Sequence, residues 1–170
     1  MKARVDKSTI LPDVTIIKPS VFNDCRGNIY TSWSDVDYEK LLPLRFVRDK
    51  FAESDYNALR GLHGDAKTWK LVSCVYGEIY EVVVDMRPES PTYKKWDLFI
   101  LNNTNCTQIL IPPRFVNGYY VRSQKAVFHY KLAYDGGYID AKEQITVKWD
   151  DPDLNITWGD IKPILQERDK

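Results

Sequence analysis

The sequence predicts a mainly-β protein, a sandwich, jelly roll or barrel with a few short helices, and three observations lead there. β-Branched and aromatic residues gather in short runs separated by turn residues. Helix signals are few and short. No repeat period, low-complexity tract or linker-like stretch divides the chain, so residues 1–170 read as one domain, long enough to bury one substantial core.

In chain order, the first element is a short helix over 34–42, with Ser34 as cap and Asp35 and Asp37 in its first turn. The clearest strand signal is the pair 69–76 and 79–85. These runs flank Gly77-Glu78, which predicts a β-hairpin. Further strands are expected at 98–101, 107–111, 119–121, 126–132 and 144–148, with Pro112-Pro113 and the 102–105 segment as punctuation. A second short helical stretch is expected at 163–168.

Lys plus Arg balance Asp plus Glu, 24 against 24, which gives no electrostatic reason to expect nucleic acid or a membrane surface as partner. Cys25, Cys74 and Cys106 are scattered, with no CxxC spacing, which fits a reducing compartment better than a disulfide framework. The N-terminal residues hold no apolar signal-peptide core, and no window reaches the roughly 20 apolar residues of a membrane span. A cytoplasmic protein is expected.

Several catalytic devices are missing: a Walker A loop, GxGxxG, GxSxG and HExxH. Only two histidines occur, His63 and His129, so a three-histidine metal centre is impossible, and no metal or cofactor is expected. Attention falls on Leu59-Arg60-Gly61-Leu62-His63-Gly64-Asp65, where glycines permit close backbone approach to a ligand and Arg60 can grip phosphate. An imidazole suits proton transfer near neutrality. Read alone, His63 is equally a structural residue beside a glycine turn. In Phe128-His129-Tyr130-Lys131-Leu132, strand alternation puts Tyr130 on one face with Phe128 and Leu132, and turns His129 and Lys131 to the other. By itself Tyr130 reads as core before proton donor, and His129 as a solvent-facing or packing residue. The acidic turn around Asp150, Asp151 and Pro152 reads as ordinary turn chemistry, though one carboxylate there could orient an imidazole.

Taken together, Phe22-Asn23-Asp24-Cys25-Arg26-Gly27, the segment 59–63, Lys70-Leu71-Val72 with Gly77, the segment 84–92, Ile111-Pro112-Pro113-Arg114-Phe115, Tyr130-Lys131 and the segment 149–158 resemble the dTDP-4-dehydrorhamnose 3,5-epimerase family, in its order and near its spacing. The resemblance covers roughly residues 18–169. It implies a double-stranded β-helix, a jelly-roll cupin without catalytic metal, usually as a homodimer. It also implies epimerisation next to the C4 ketone of a nucleotide-linked sugar, a reaction that needs the enolate stabilised as it forms. On that resemblance His63 is the base and Asp151, or Asp150 if the register slips, supports its imidazole. Lys70 stands near the enolate oxygen, and Tyr130 returns a proton from the opposite face. Arg26 and Arg60 match positions that contact the diphosphate and sugar.

The chain also departs from the family. Asn117 stands where a histidine usually lines the site and can hydrogen-bond a hydroxyl but not act as base. His63-Gly64-Asp65 replaces His-Tyr-Gln, which is expected to open space and to bring Asp65 near the sugar. The segment 46–51 replaces a strand facing the nucleotide, so Arg48 and Lys50, with Glu53, become candidates for reading the base. These changes, with Cys74-Val75-Tyr76-Gly77-Glu78, Ser90-Pro91-Thr92-Tyr93 and Lys131-Leu132-Ala133-Tyr134, are similar to a capsule-heptose branch of the family. That branch implies a GDP-linked 4-keto heptose, in surface polysaccharide biosynthesis, as substrate in place of a dTDP-sugar, with inversion at C3 alone or at C3 and C5. Two other readings are a nucleotide-sugar 3,4-ketoisomerase and a non-catalytic cupin that only binds sugar nucleotides.

Overall fold

The computed structural model describes residues 3–38 and 45–170. In chain order the strands are β1 (Arg4–Lys7), β2 (Thr15–Lys18), β3 (Val21–Asp24), β4 (Gly27–Tyr30), β5 (Arg48–Asp55), β6 (Leu59–Gly64), β7 (Trp69–Tyr76), β8 (Glu78–Asp85), β9 (Trp96–Asn102), β10 (Gln108–Ile111), β11 (Phe115–Val121), β12 (Lys125–Ala133) and β13 (Ile145–Thr146). They form a six-stranded sheet, β1-β2-β10-β7-β12-β5, a five-stranded sheet, β13-β6-β11-β8-β9, and the separate hairpin β3-β4. The expected mainly-β architecture is present. Among the described residues no helix is long and apolar enough to cross a membrane.

Period-2 alternation builds the core. Val72 and Cys74 of β7, Ile79 and Val83 of β8, Ile109 and Ile111 of β10, and Phe115 and Tyr119 of β11 point inward and pack in one cluster between the sheets. Burying an aliphatic side chain of this kind contributes about 1.5–3 kcal/mol, so this cluster dominates the fold. The outward residues Val82, Val84, Val116 and Tyr120 are covered by Leu154 and Trp158 of the C-terminal segment. On the far side of the six-stranded sheet, Ile17, Leu71 and Leu110 pack beneath Tyr38.

Three local expectations change. The runs at 69–76 and 79–85 are strands, but they are not a hairpin. β7 lies between β10 and β12, whereas β8 lies between β11 and β9 in the other sheet. The Gly77 turn therefore carries the chain from one sheet to the other. Gly77 has φ +76°, and a Cβ there would meet the Lys125 carbonyl at 2.2 Å and Ser123 Oγ at 2.4 Å. The 163–168 helix is replaced by an extended run, in which Ile164 bridges in parallel to Ala58, and by a single 3₁₀ turn at Glu167–Asp169. Ile164 accepts from Leu59 N–H and donates to Asn57 O, backbone bonds that a helix would forbid. Of the expected 34–42 helix, α1 (Asp35–Tyr38) is present, and 39–42 lies outside the described residues.

The glycine crossing generates a prediction. Gly77→Ala combines a disfavoured left-handed φ with a backbone collision and is expected to destabilise the fold by more than about 2 kcal/mol in urea unfolding. A change within about 0.5 kcal/mol would show that the crossing tolerates a side chain.

Candidate active site

The site forms where β6 and β11 come unusually close. A Cβ on Gly61 would lie 2.4 Å from Gly118 Cα, so two facing glycines allow this approach. The β6–β11 register shifts between Asn117 and Tyr119 and places Asn117 opposite His63. Both side chains then point to the interior. Across from them, β12 pairs with β7 so that Tyr130 lies beside Val72 and Leu132 beside Lys70. A cavity of about 270 Å³ opens between the two sheets, lined by His63, Arg60 and Asn117 from one sheet and by Lys70, Tyr130 and Lys50 from the other.

Alternation thus put Tyr130 on the right face: Phe128, Tyr130 and Leu132 all line the cavity. Tyr130 packs on Phe128 with ring centroids 5.3 Å apart, and Phe128 stacks on Tyr119 at 4.3 Å, which fixes the tyrosine against the wall. His129 faces away. It is a buried packing residue, with Nε2 2.5 Å from Asp49 and Nδ1 sharing a hydrogen bond with Ser73 Oγ.

The carboxylate against the catalytic-candidate imidazole is Asp169, not Asp151. Asp169 Oδ1 lies 2.7 Å from His63 Nε2, and its side chain is wholly inaccessible. Asp151 instead accepts from Asp153 N–H and closes a turn through its carbonyl, and Asp150 is exposed. The physical reason is sidedness. Trp149, Leu154 and Trp158 cover the outer face of the five-stranded sheet, and the chain reaches the inner-facing His63 only at its end.

Burial lowers the His63 pKa from its ordinary 6.5. The Asp169 charge opposes this, while Arg168 and Lys70 add to it. The balance favours a neutral imidazole, the form that can accept a proton. Lys70 donates to the His63 carbonyl at 2.8 Å and to Asn117 Oδ1 at 2.7 Å, crossing from one sheet to the other. Burial pulls its ammonium down to about 8, against the opposing charges of Asp65 and Glu81. Asn117 in turn donates Nδ2–H to Glu81 Oε1 at 2.7 Å. Neither Asp169 nor Glu81 stood out in the sequence. Glu81 carried a signal, a charge at the same strand parity as the core residues Ile79 and Val83; an acidic residue next to the last position reads as solvated tail.

The remaining candidates separate. Arg60 lines the cavity, with Nε held on Ser54 Oγ at 3.0 Å. Asp65 lines it too, but its Oδ1 is engaged by Lys67 and Thr68 N–H, so it acts first as a turn cap. Lys50 reaches the Tyr138 hydroxyl at 3.5 Å, and Arg48 stacks over the Tyr138 ring at 4.3 Å. Glu53 pairs with Lys125 and is not part of the lining. Arg26 lies outside the cavity, at the turn of the β3-β4 hairpin, where it pairs with Asp24. Gly64 does not open the cavity as expected. It is absent from the lining, and a Cβ there would lie 2.0 Å from the Phe115 carbonyl. Among the described residues no group of three or more His, Cys, Asp or Glu side chains could hold a metal ion.

Comparison with known proteins gives a consistent picture. The family model described as dTDP-4-dehydrorhamnose 3,5-epimerase matches residues 8–170. The chain is 37% identical over 155 residues to the dTDP-4-dehydrorhamnose 3,5-epimerase of Salmonella typhimurium, covering 88% of this chain and 83% of that one. It is 36% identical over 166 residues to the enzyme of that name from Shigella flexneri, covering 95% and 90%. Among solved structures it is similar to dTDP-6-deoxy-D-glucose-3,5-epimerase from Legionella pneumophila in complex with dTDP-4-keto-L-rhamnose, with TM-score 0.90, 35% identity and coverage of 98% of this chain and 89% of that one. The fold is accordingly the cupin-like jelly roll of these epimerases.

The geometry of the imidazole makes a prediction independent of turnover. Because the Asp169 charge raises the His63 pKa against burial, Asp169→Asn is expected to move the His63 titration, followed by imidazole NMR, further down. Asp151→Asn is expected to leave it unchanged. The reverse pattern would return Asp151 to the dyad.

Proposed function

The chain belongs to the dTDP-4-dehydrorhamnose 3,5-epimerase family, and on that premise we propose that it inverts C3, with or without C5, of a nucleotide-linked 4-keto sugar. The observation that carries this reading is the placement of His63 and Tyr130 on opposite walls of one cavity, with Lys70 crossing between the sheets. Inversion needs a base on one side of a carbon and an acid on the other, and a ketoisomerase does not.

In the proposed reaction the neutral His63 takes the proton from the carbon beside the ketone, and the electron pair moves onto the carbonyl oxygen as an enolate. Asp169 stabilises the imidazolium that results. The Lys70 ammonium compensates the enolate charge in a site of low dielectric, where such an interaction is worth most. Tyr130 then gives its hydroxyl proton to the opposite face of the carbon. Solvent resets both groups.

The nucleotide is proposed to be GDP and the sugar a 4-keto heptose. This rests on the segments shared with the capsule-heptose branch, 74–78, 90–93 and 131–134, together with Lys50 and Tyr138 of the cavity lining and Arg48, which lies outside the lining but stacks on Tyr138. The similar enzymes named above carry dTDP-sugars in their names, so the base is the distinguishing point. Arg60 stands ready for a phosphate or sugar oxygen. Arg26 lies away from this cavity, so a role on the diphosphate requires a homodimer whose hairpin reaches the neighbouring copy's site.

Incubation with a GDP-linked 4-keto heptose in D2O, beside dTDP-4-keto-6-deoxyglucose, tests the reading. Deuterium is expected at C3, or at C3 and C5, with faster incorporation into the GDP-sugar. His63→Asn is expected to reduce incorporation by at least about 10²-fold while the protein stays folded. Retained exchange in that variant would remove His63 as base, migration of the ketone without inversion would make the enzyme a ketoisomerase, and absence of exchange with both sugars would contradict the proposal.

The pH profile follows from the direction of the His63 shift. The base must be neutral, so kcat/KM falls as pH drops through a His63 pKa that lies below 6.5. An acid-limb midpoint above 6.5 would contradict this.

A further inference from the structure

Behind the cavity wall lies a carboxyl group that the reaction as proposed does not use. Glu81 has no accessible surface, and among the described residues only one of its oxygens has a partner. That partner is the Asn117 amide, whose other end accepts from Lys70. The result is a directed chain across three strands: Lys70 Nζ–H donates to Asn117 Oδ1, and Asn117 Nδ2–H donates to Glu81 Oε1. The chain determines which way the amide points, because only one orientation gives Lys70 an acceptor and Glu81 a donor.

We propose that Glu81 is a positioning residue for the epimerisation: through Asn117 it fixes the Lys70 ammonium on the cavity wall and, as it ionises in alkaline solution, supplies the opposing charge that keeps the ammonium protonated. The proposal rests on the role given to Lys70 above and extends it to a residue that touches no substrate.

The electrostatics agree with the geometry. Burial pushes the Glu81 carboxyl up to about 8 and Lys70 down to about 8, so the two groups titrate in the same range. When such a pair is coupled, the proton lost first belongs to the pair. As the solution becomes alkaline, Glu81 can give up its proton and leave the ammonium charged. A neutral residue at 81 would leave Lys70 to lose its own. The other charges acting on Lys70 are Asp65, which also favours the ammonium, and Arg168, which disfavours it; His63 feels Lys70 from the facing strand. Beside Glu81 itself lie Cys74 and Tyr119, whose ionisation its charge opposes.

Glu81→Gln tests this, since glutamine keeps the shape and an oxygen for Asn117 but removes the charge. The Lys70 titration is followed by NMR of protein carrying 13Cε-labelled lysine, assigned with Lys70→Gln, in the absence of substrate. The glutamine variant is expected to titrate at Lys70 at least about one pH unit below the wild type. An unmoved Lys70 titration would overturn the proposal, whatever the substrate proves to be. If the glutamine variant does not fold, Glu81→Asp serves. It retains the charge but shortens the reach to Asn117, so Lys70 is expected to titrate below the wild type; an unmoved titration would overturn the proposal. With a sugar that the wild type turns over, Glu81→Gln is expected to lower kcat about tenfold with little change in KM, and to move the alkaline limb to lower pH. A purely structural Glu81 would leave that limb in place. Absence of exchange in the wild type would count against the epimerase reading alone, because the Lys70 titration needs no turnover.

Discussion

Lys70 reaches from the six-stranded sheet to the His63 carbonyl at 2.8 Å and the Asn117 amide at 2.7 Å in the five-stranded one, and the site is arranged around that crossing. An ammonium drawn so far out of water persists only when its donors are satisfied and opposing charge is near. The fold meets both demands. The close glycine approach of β6 and β11 presents the two acceptors side by side, and Asp65, joined by Glu81 as it ionises, provides the charge. Without the facing glycines Gly61 and Gly118, His63 and Asn117 would not share one wall.

The same arrangement separates the charge states of two neighbours. His63 is pushed towards its neutral form by burial, Arg168 and Lys70, while Asp169 limits the shift. Lys70 is pushed the same way by burial but is held by Asp65 and, as it ionises, by Glu81. A neutral imidazole beside a charged ammonium is the combination that the proposed enolate chemistry requires. Here it follows from which carboxylate faces which group.

Much of this was legible in the sequence because it is local. Period-2 alternation placed Tyr130 with Phe128 and Leu132 and turned His129 away, and the structure has that pattern. The strands at 69–76 and 79–85 were legible as strands, but their partners were not. A glycine turn between two β-rich runs looks the same whether the second strand returns along the first or crosses to another sheet, and packing around Gly77 decides it. The identity of the His63 partner was hidden for a related reason. Asp151 lies in a conspicuous acidic turn, whereas Asp169 gains its meaning only when the C-terminal segment, having covered the outer face of one sheet, turns back to the cavity. The expectation that Gly64 enlarges the site failed on strand parity, since a residue beside the inward-facing His63 faces outward.

In the proposed reaction, two walls of one cavity divide the labour of proton removal and proton return. The most direct measurement is the reaction of Tyr130→Phe in D2O, with deuterium content and configuration at C3 determined separately on recovered sugar. Deuterium is still expected to enter the uninverted sugar through His63, while formation of the inverted product falls by at least about 10²-fold. Equal loss of exchange and inversion, or inversion that proceeds unchanged, would contradict this division.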